Sequence, residues 1–381
     1  MQIGIPREVT LGETRVAATP ETVKKLRAAG LAVSVESGAG AGAHYTDDAY
    51  RQAGAAVVDN SKAFGADVVF KIHKPNAYEI NRMKRGSTLI SLLDMCHDDG
   101  TFDQLAAQGV DAYSLEMMPR LSRAQTMDVL SSQANIAGYR AVLEAATLYG
   151  HFFPMMMTSA GSAKPARVVV LGAGVAGLQA IATARRLGAQ VWAYDVRPEV
   201  KEQVQSLGAK FIELDIGESG AGQGGYAKVL SHEAQDRQQA LLQEELKKAD
   251  IIISTALIPC RQAPVLITED AVRGMHEGAV IVDMAAANGG NCPLTEPDKV
   301  VVKHGVILCG YTNFPALMPT DASQFFARNL YNFLLHLLDR ENGEIRFKDP
   351  LADELSVMTL ITHRGQVRFE TTKNAKKTKA G

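Results

Sequence analysis

The sequence predicts an α/β protein with two doubly wound parallel-sheet domains joined by two long crossing helices. Three observations lead there. Short apolar strands alternate with helical patterns along most of the 381 residues. Two stretches of about twenty residues hold helical periodicity without a break. One strand runs straight into a glycine-rich turn that opens a helix. A chain this long exceeds one ordinary core, so two domains are expected.

In order along the chain, residues 3–5, 32–36, 68–72, 88–92 and 112–114 read as strands, and the helical patterns between them imply a parallel sheet with helices on its faces. Thr19-Pro20-Glu21 opens one of these helices with a capping hydroxyl, a proline at the first position and a carboxylate in the first turn. From Asp128 to about Gly150 one long helix is expected, with Val129, Ile136 and Leu143 recurring every seven residues. Strands at 167–171, 190–194, 210–214, 250–254, 279–284 and 306–310 follow. A second long helix from Thr320 to Leu338 carries Phe325, Phe326, Leu330, Phe333, Leu334 and Leu337, is capped by Thr320 or Asp321, and stops at Asn342-Gly343. The expected division is a discontinuous first domain, 1–128 plus 320–381, with a second domain, 129–319, inserted between its parts. The glycine-rich stretch 217–225 reads as a mobile surface loop.

Composition removes several function classes. The chain is 46% apolar and 22% charged, with a formal net charge of −2. Phosphate binding leaves a basic excess, so nucleic acid is not an expected partner. Only the end is locally basic (Lys373, Lys376, Lys377, Lys379), and it reads as a solvated terminus. Cys96, Cys260, Cys292 and Cys309 are scattered without a CxxC pair, which predicts free thiols and no metal site. The N-terminus has no signal-peptide pattern and no apolar run approaches bilayer length, so the chain is expected in the cytoplasm.

Arg167-Val168-Val169-Val170-Leu171 leads into Gly172-Ala173-Gly174-Val175-Ala176-Gly177 and then a helix. Glycines at these places allow the tight turn, the approach of a pyrophosphate and close helix–strand packing, while the helix N-terminus offers its N–H groups to phosphate. A second strand ends at Asp195, 18 residues past Gly177. That carboxylate can accept ribose hydroxyls and repels a 2′-phosphate, so NAD(H) is expected over NADP(H). Arg197 is expected to lie over the adenine or in solvent. The competing reading is a glycine turn in a nucleotide-free domain, with Asp195 capping a helix.

The run Arg120-Leu121-Ser122-Arg123-Ala124-Gln125-Thr126-Met127-Asp128 is not explained by propensity. It resembles the signature of the NAD(H)-binding component of proton-translocating NAD(P) transhydrogenases. So do Ile3-Gly4-Ile5-Pro6-Arg7-Glu8, Gly225-Tyr226-Ala227-Lys228, Thr255-Ala256-Leu257-Ile258-Pro259 and Gly289-Gly290-Asn291-Cys292-Pro293. The superfamily also contains alanine dehydrogenase, and the 120–128 segment separates the transhydrogenase branch.

The resemblance implies two Rossmann-like domains and hydride transfer from NAD(H) on this chain to NADP(H) on a partner subunit. It also implies a homodimer, a separate membrane-spanning proton-channel subunit, and peripheral attachment to the inner membrane through these partners. By position it makes Arg120, Gln125 and Asp128 the loop around the nicotinamide, aided by Leu121, Ser122, Arg123 and Ser131. Gly172, Gly174, Val175, Ala176 and Gly177 take the pyrophosphate, and Asp195, Val196 and Arg197 the adenosine. Gly225 and Tyr226 lie on a closing flap, and Thr255, Ala256 and Leu257 line the other side. Without the resemblance, Arg120 and Asp128 read as a surface ion pair at a helix start and Gln125 as a loop amide.

The sequence departs from the family at Cys260-Arg261-Gln262, where Gly-Lys-Pro is usual, and this predicts a reshaped turn. The main rival is an amino-acid dehydrogenase of the alanine type. Arg15 matches that enzyme's carboxylate-binding arginine, but His73 and Asp94 stand where its lysine and histidine belong. Amine oxidation releases protons and needs a base, whereas hydride exchange between nicotinamides does not. Lys71 or Lys74 is the candidate substitute. A silent NAD sensor is the third reading.

Overall fold

The computed structural model describes residues 1–97, 99–214, 232–258, 260–341 and 344–368. The chain divides into two compact units: Met1–Gln133 with Pro315–Gly381, and Ala134–Phe314.

The first unit is built on an eight-stranded sheet. From one edge its order is Gln366–Val367, Leu360–His363, Asp111–Ser114, Thr88–Ser91, Val68–Phe70, Gln2–Ile5, Ala32–Glu36 and Ala56–Val58. The six N-terminal strands are parallel, and the C-terminal pair adds on antiparallel. The helix Pro20–Ala28 begins as its sequence directs: Thr19 is the N-cap, and its hydroxyl accepts from the Thr22 N–H at 3.3 Å while Thr22 Oγ1 accepts from the Thr19 N–H at 2.8 Å.

The second unit holds a seven-stranded sheet. Its order is Lys210–Phe211, Gln190–Tyr194, Arg167–Leu171, Ile251–Ser254, Val280–Asp283, Val306–Cys309 and Val300–Lys303, parallel except for the last strand. The central strands read as unbroken apolar runs because helices cover both faces. In chain order the sheet starts 3-2-1-4-5, so Arg167–Leu171 lies where strand order reverses, the usual place for a nucleotide. Both sheets are doubly wound α/β sheets of the expected class.

The two long helices are present, with different ends. The first spans Val129–Leu148 after a 3-10 segment, Ser122–Met127. The second spans Pro319–Leu337, with Met318 at the N-cap and no side-chain cap. Thr320 and Asp321 lie inside its first turn instead, because Pro319 at N1 presets the backbone and needs no N–H partner. Leu337 ends the helix because the chain passes directly into strand Leu338–Glu341, which pairs with Glu344–Phe347; Asn342 and Gly343 lie outside the described residues.

Phe326, Leu330, Phe333 and Leu334 of this helix pack in one core with Ile3, Ile5, Val23 and Leu26. Phe325 is exposed. Among the described residues no helix is long and apolar enough to cross a membrane. Cys292 and Cys309 are free and buried, as expected of both. The segment with Gly225 and Tyr226 that was expected to form a closing flap, the stretch 217–225 and the basic end lie outside the described residues.

Candidate functional site

In the second unit the glycine turn follows from sterics. Gly172 has φ +94°, and a Cβ on Gly177 would sit 1.8 Å from the Gly172 carbonyl oxygen. Gly174 has open space where its Cβ would be, and it caps the helix Val175–Arg186 without a side chain. A helix N-terminus open on that side fits a pyrophosphate. Gly138, on the helix Val129–Leu148, supports the turn from behind, since its absent Cβ would meet the Ala176 carbonyl oxygen at 2.0 Å.

Asp195 lies at the end of the neighbouring strand. Its Oδ2 accepts from the Ala173 N–H at 2.7 Å and its Oδ1 from the Arg197 N–H at 2.9 Å. The Arg197 guanidinium donates to both oxygens at 3.0 Å. Burial opposes ionisation of Asp195, but the guanidinium and the two N–H groups hold it below the usual carboxylate range. Arg197, itself exposed, pairs with this carboxylate. It neutralises a carboxylate that burial would otherwise leave without a countercharge.

Thr255 braces the turn: its hydroxyl lies 3.1 Å from the Leu171 carbonyl and 3.2 Å from that of Gly172. Asn291, fully buried, donates to the carbonyls of Ala256 and Pro264 at 2.9 and 2.8 Å. Val175, Val196 and Leu257 expose apolar surface. Cys260 has φ +56°, a left-handed conformation that costs a side-chain residue about 1–2 kcal/mol.

In the first unit, Arg120, Leu121, Ser122, Gln125, Asp128 and Ser131 line a depression of about 400 Å³. Asp128 caps the following helix. Its Oδ1 accepts from the Ser131 N–H at 2.9 Å and its Oδ2 from the Ser131 hydroxyl at 2.6 Å. Among the described residues no ion pair joins it to Arg120. Arg120 and Gln125 are exposed, and no described residue makes a hydrogen bond to either side chain. Arg123 turns away to Asp353 at 2.7 Å and Glu354 at 3.4 Å.

A second polar cluster in this unit was only partly visible in the sequence. The Glu13 side chain is fully buried and holds the Arg15 guanidinium at 2.8 and 2.7 Å, with His73 Nε2 2.6 Å away. Arg15 also donates to Gln133 Oε1 at 2.8 Å. Burial opposes the charge on Glu13, yet the Arg15 and His73 hydrogen bonds hold it well below the usual carboxylate range. Lys71 is buried between Glu8 and Glu79 at 3.2 and 3.1 Å. Lys74 pairs with Asp99 at 3.0 Å, and Asp94 with His97 at 3.0 Å.

Two family models together cover nearly the whole chain: the N-terminal domain of alanine dehydrogenase/PNT matches residues 4–137 and the C-terminal domain residues 141–370. The chain belongs to the alanine dehydrogenase/PNT family. Within that family it is 49% identical over 376 residues to the first part of the NAD(P) transhydrogenase alpha subunit of Rhodospirillum rubrum, covering 96% of this chain and 97% of that protein. It is 46% identical to NAD(P) transhydrogenase subunit alpha of Haemophilus influenzae, covering 94% of this chain and 70% of that one. Alanine dehydrogenase 1 of Staphylococcus aureus is more distant, at 28% over 89% and 88% of the two chains. The crystal structure of a transhydrogenase from Sinorhizobium meliloti superposes with a TM-score of 0.85 at 42% identity, covering 97% of this chain and 99% of that one.

Proposed function

We propose that this alanine dehydrogenase/PNT family member is the NAD(H)-binding component of a proton-translocating NAD(P) transhydrogenase. It holds NAD(H) and exchanges hydride with NADP(H) on a partner subunit, coupled to proton movement through a separate membrane-spanning subunit. It acts as a homodimer in the cytoplasm, peripheral to the inner membrane through its partners.

The observation that carries this reading is the pair of side chains Arg120 and Gln125, exposed and without partners among the described residues, beside Asp128 and Ser131. A carboxamide free on both edges can donate to and accept from the nicotinamide carboxamide at once, which selects the ring face presented. The open helix N-terminus at Gly174–Ala176 suits the pyrophosphate, and Asp195 the adenosine ribose once Arg197 shifts off it.

In the exchange the C4–H bond of the reduced ring breaks with both electrons, and a C–H bond forms at C4 of the oxidised ring. No proton is released. The chain's residues are then needed to bind, orient and exclude water rather than to move protons. The groups that amine oxidation would call on are engaged elsewhere: His73 with Glu13, Asp94 with His97, Lys71 between Glu8 and Glu79, and Lys74 with Asp99.

The test mixes the chain with an NADP(H)-binding transhydrogenase subunit and follows hydride transfer from NADH to an NADP analogue. Transfer is expected, with no oxidation of alanine by NAD on the chain alone. Clear turnover of an amino acid would return the chain to the dehydrogenase branch.

A further inference from the structure

The 3-10 segment that carries Gln125 is gripped by the helix Pro319–Leu337 through one backbone atom. The Thr126 carbonyl accepts from Asn329 Nδ2 at 2.9 Å and from Asn332 Nδ2 at 3.0 Å. Residues three apart share a helix face, so two amides reach one oxygen, and a carbonyl has two lone pairs to receive them. The Ser132 hydroxyl lies 2.7 Å from Asn329 Oδ1. Because the Thr126 carbonyl can only accept, the amide turns its NH2 toward Thr126 and its oxygen toward the hydroxyl.

The placement goes against local preference. Asparagine favours caps and turns over helix interiors. Asn329 is also buried on a face it shares with Phe326, Leu330 and Phe333, where an unpaired amide would be penalised by a few kcal/mol. A buried amide there is tolerated because Thr126 and Ser132 satisfy it. Thr126 directly follows Gln125, whose carboxamide has no described protein partner of its own. What locates that carboxamide is its backbone, and the asparagine pair is what holds the backbone.

We propose that Asn329 and Asn332 are positioning residues for hydride transfer: by clamping the Thr126 carbonyl they set where Gln125 presents its carboxamide to the nicotinamide. The inference rests on the reading that Gln125 meets that ring. Neither asparagine touches the nucleotide in this scheme. Both act through the one carbonyl.

The test uses Asn332→Asp, which keeps the shape but turns a donor into a carboxylate oxygen facing the Thr126 oxygen. Asn332 is only partly buried, and thermal unfolding of the same preparation checks that the variant folds. Assays combine the full chain with an NADP(H)-binding subunit and read single-turnover transfer to an NADP analogue, alongside NADH affinity by fluorescence titration. A displacement of about an ångström at a reacting centre can lower a rate by up to roughly 100-fold with little change in ground-state binding. The expected result is a rate lowered by about ten- to 100-fold, with Kd for NADH changed by less than about threefold. In a Gln125→Ala background the same substitution adds less than about twofold, because both changes act on one contact.

A normal rate in Asn332→Asp while Gln125→Ala is slow overturns the clamp and leaves the functional reading standing. Equal losses in both backgrounds, or a Kd that weakens as much as the rate, make the pair a structural support and overturn it as well. A normal rate for Gln125→Ala itself removes the role of Gln125, and the clamp falls with it.

Discussion

Gln125→Asn separates hydride transfer from binding and from stability. The substitution keeps the amide and withdraws it by one methylene, about 1.5 Å. No described residue bonds to the Gln125 side chain and it is exposed, so no protein contact is lost and stability should change by less than about 0.5 kcal/mol. Binding should change little, because in the proposed reading most affinity comes from the pyrophosphate and adenosine contacts and not from this amide. The rate is different. A retreat of that size at the reacting ring is expected to slow transfer by roughly 100-fold, equivalent to about 2.7 kcal/mol in the barrier. The measurement is single-turnover transfer between NADH and an NADP analogue at saturating nucleotide, with thermal unfolding and NADH titration on the same preparation. Weakened binding at a normal rate would refute the reasoning by placing Gln125 outside the reaction centre. A normal rate with normal binding would make it an ordinary loop amide.

Asp195→Ala should weaken NADH binding and narrow the preference over NADPH, and Arg197→Ala should widen that preference by releasing the carboxylate; competitive titration of both nucleotides measures each. Glu13→Gln should destabilise the chain by about 3 kcal/mol, because it leaves the buried Arg15 without its countercharge, and thermal denaturation reads the loss. Since the folded-state pKa of Glu13 lies below its ordinary value of 4.5, its contribution is fully present above that pH and fades as pH falls further. Acid titration of wild type against Glu13→Gln should therefore show the gap closing only on the acid side. Gly138→Ala should push against the Ala176 carbonyl, costing about 1–3 kcal/mol of stability and weakening NADH affinity, as unfolding and titration would report.

What the sequence disclosed tracks how local each feature is. The strand Arg167–Leu171 and its glycines were readable because neighbouring residues set the turn. The strand Ala56–Val58 went unread because it is short and lies at a sheet edge, only partly buried. The C-terminal strand Leu360–His363 owes its place to pairing with a strand some 250 residues earlier, which no local pattern announces, and Gln366–Val367 adds on to it. The cap of the second long helix was misplaced because two plausible capping residues follow a proline that itself starts the helix. In the candidate site, Arg120 and Gln125 stood out only through the family resemblance, since a loop amide and a surface arginine look alike in any sequence. The Glu13–Arg15–Gln133 network and the asparagine pair on Thr126 join residues over 100 positions apart, so they needed the fold.

The first unit is assembled from both ends of the chain, and that sets an order of events during synthesis. Roughly 180 residues separate its two segments. At 5–20 residues per second, the ribosome takes about 10–40 s to make them. Throughout that interval the apolar surfaces of Ile3, Val23 and Leu26 wait for Phe326, Leu330 and Phe333 to emerge. The inserted unit is continuous and can close on itself in the meantime. An emerging chain therefore carries an unfinished domain ahead of a finished one, and it is the unfinished sheet that a chaperone would have to cover.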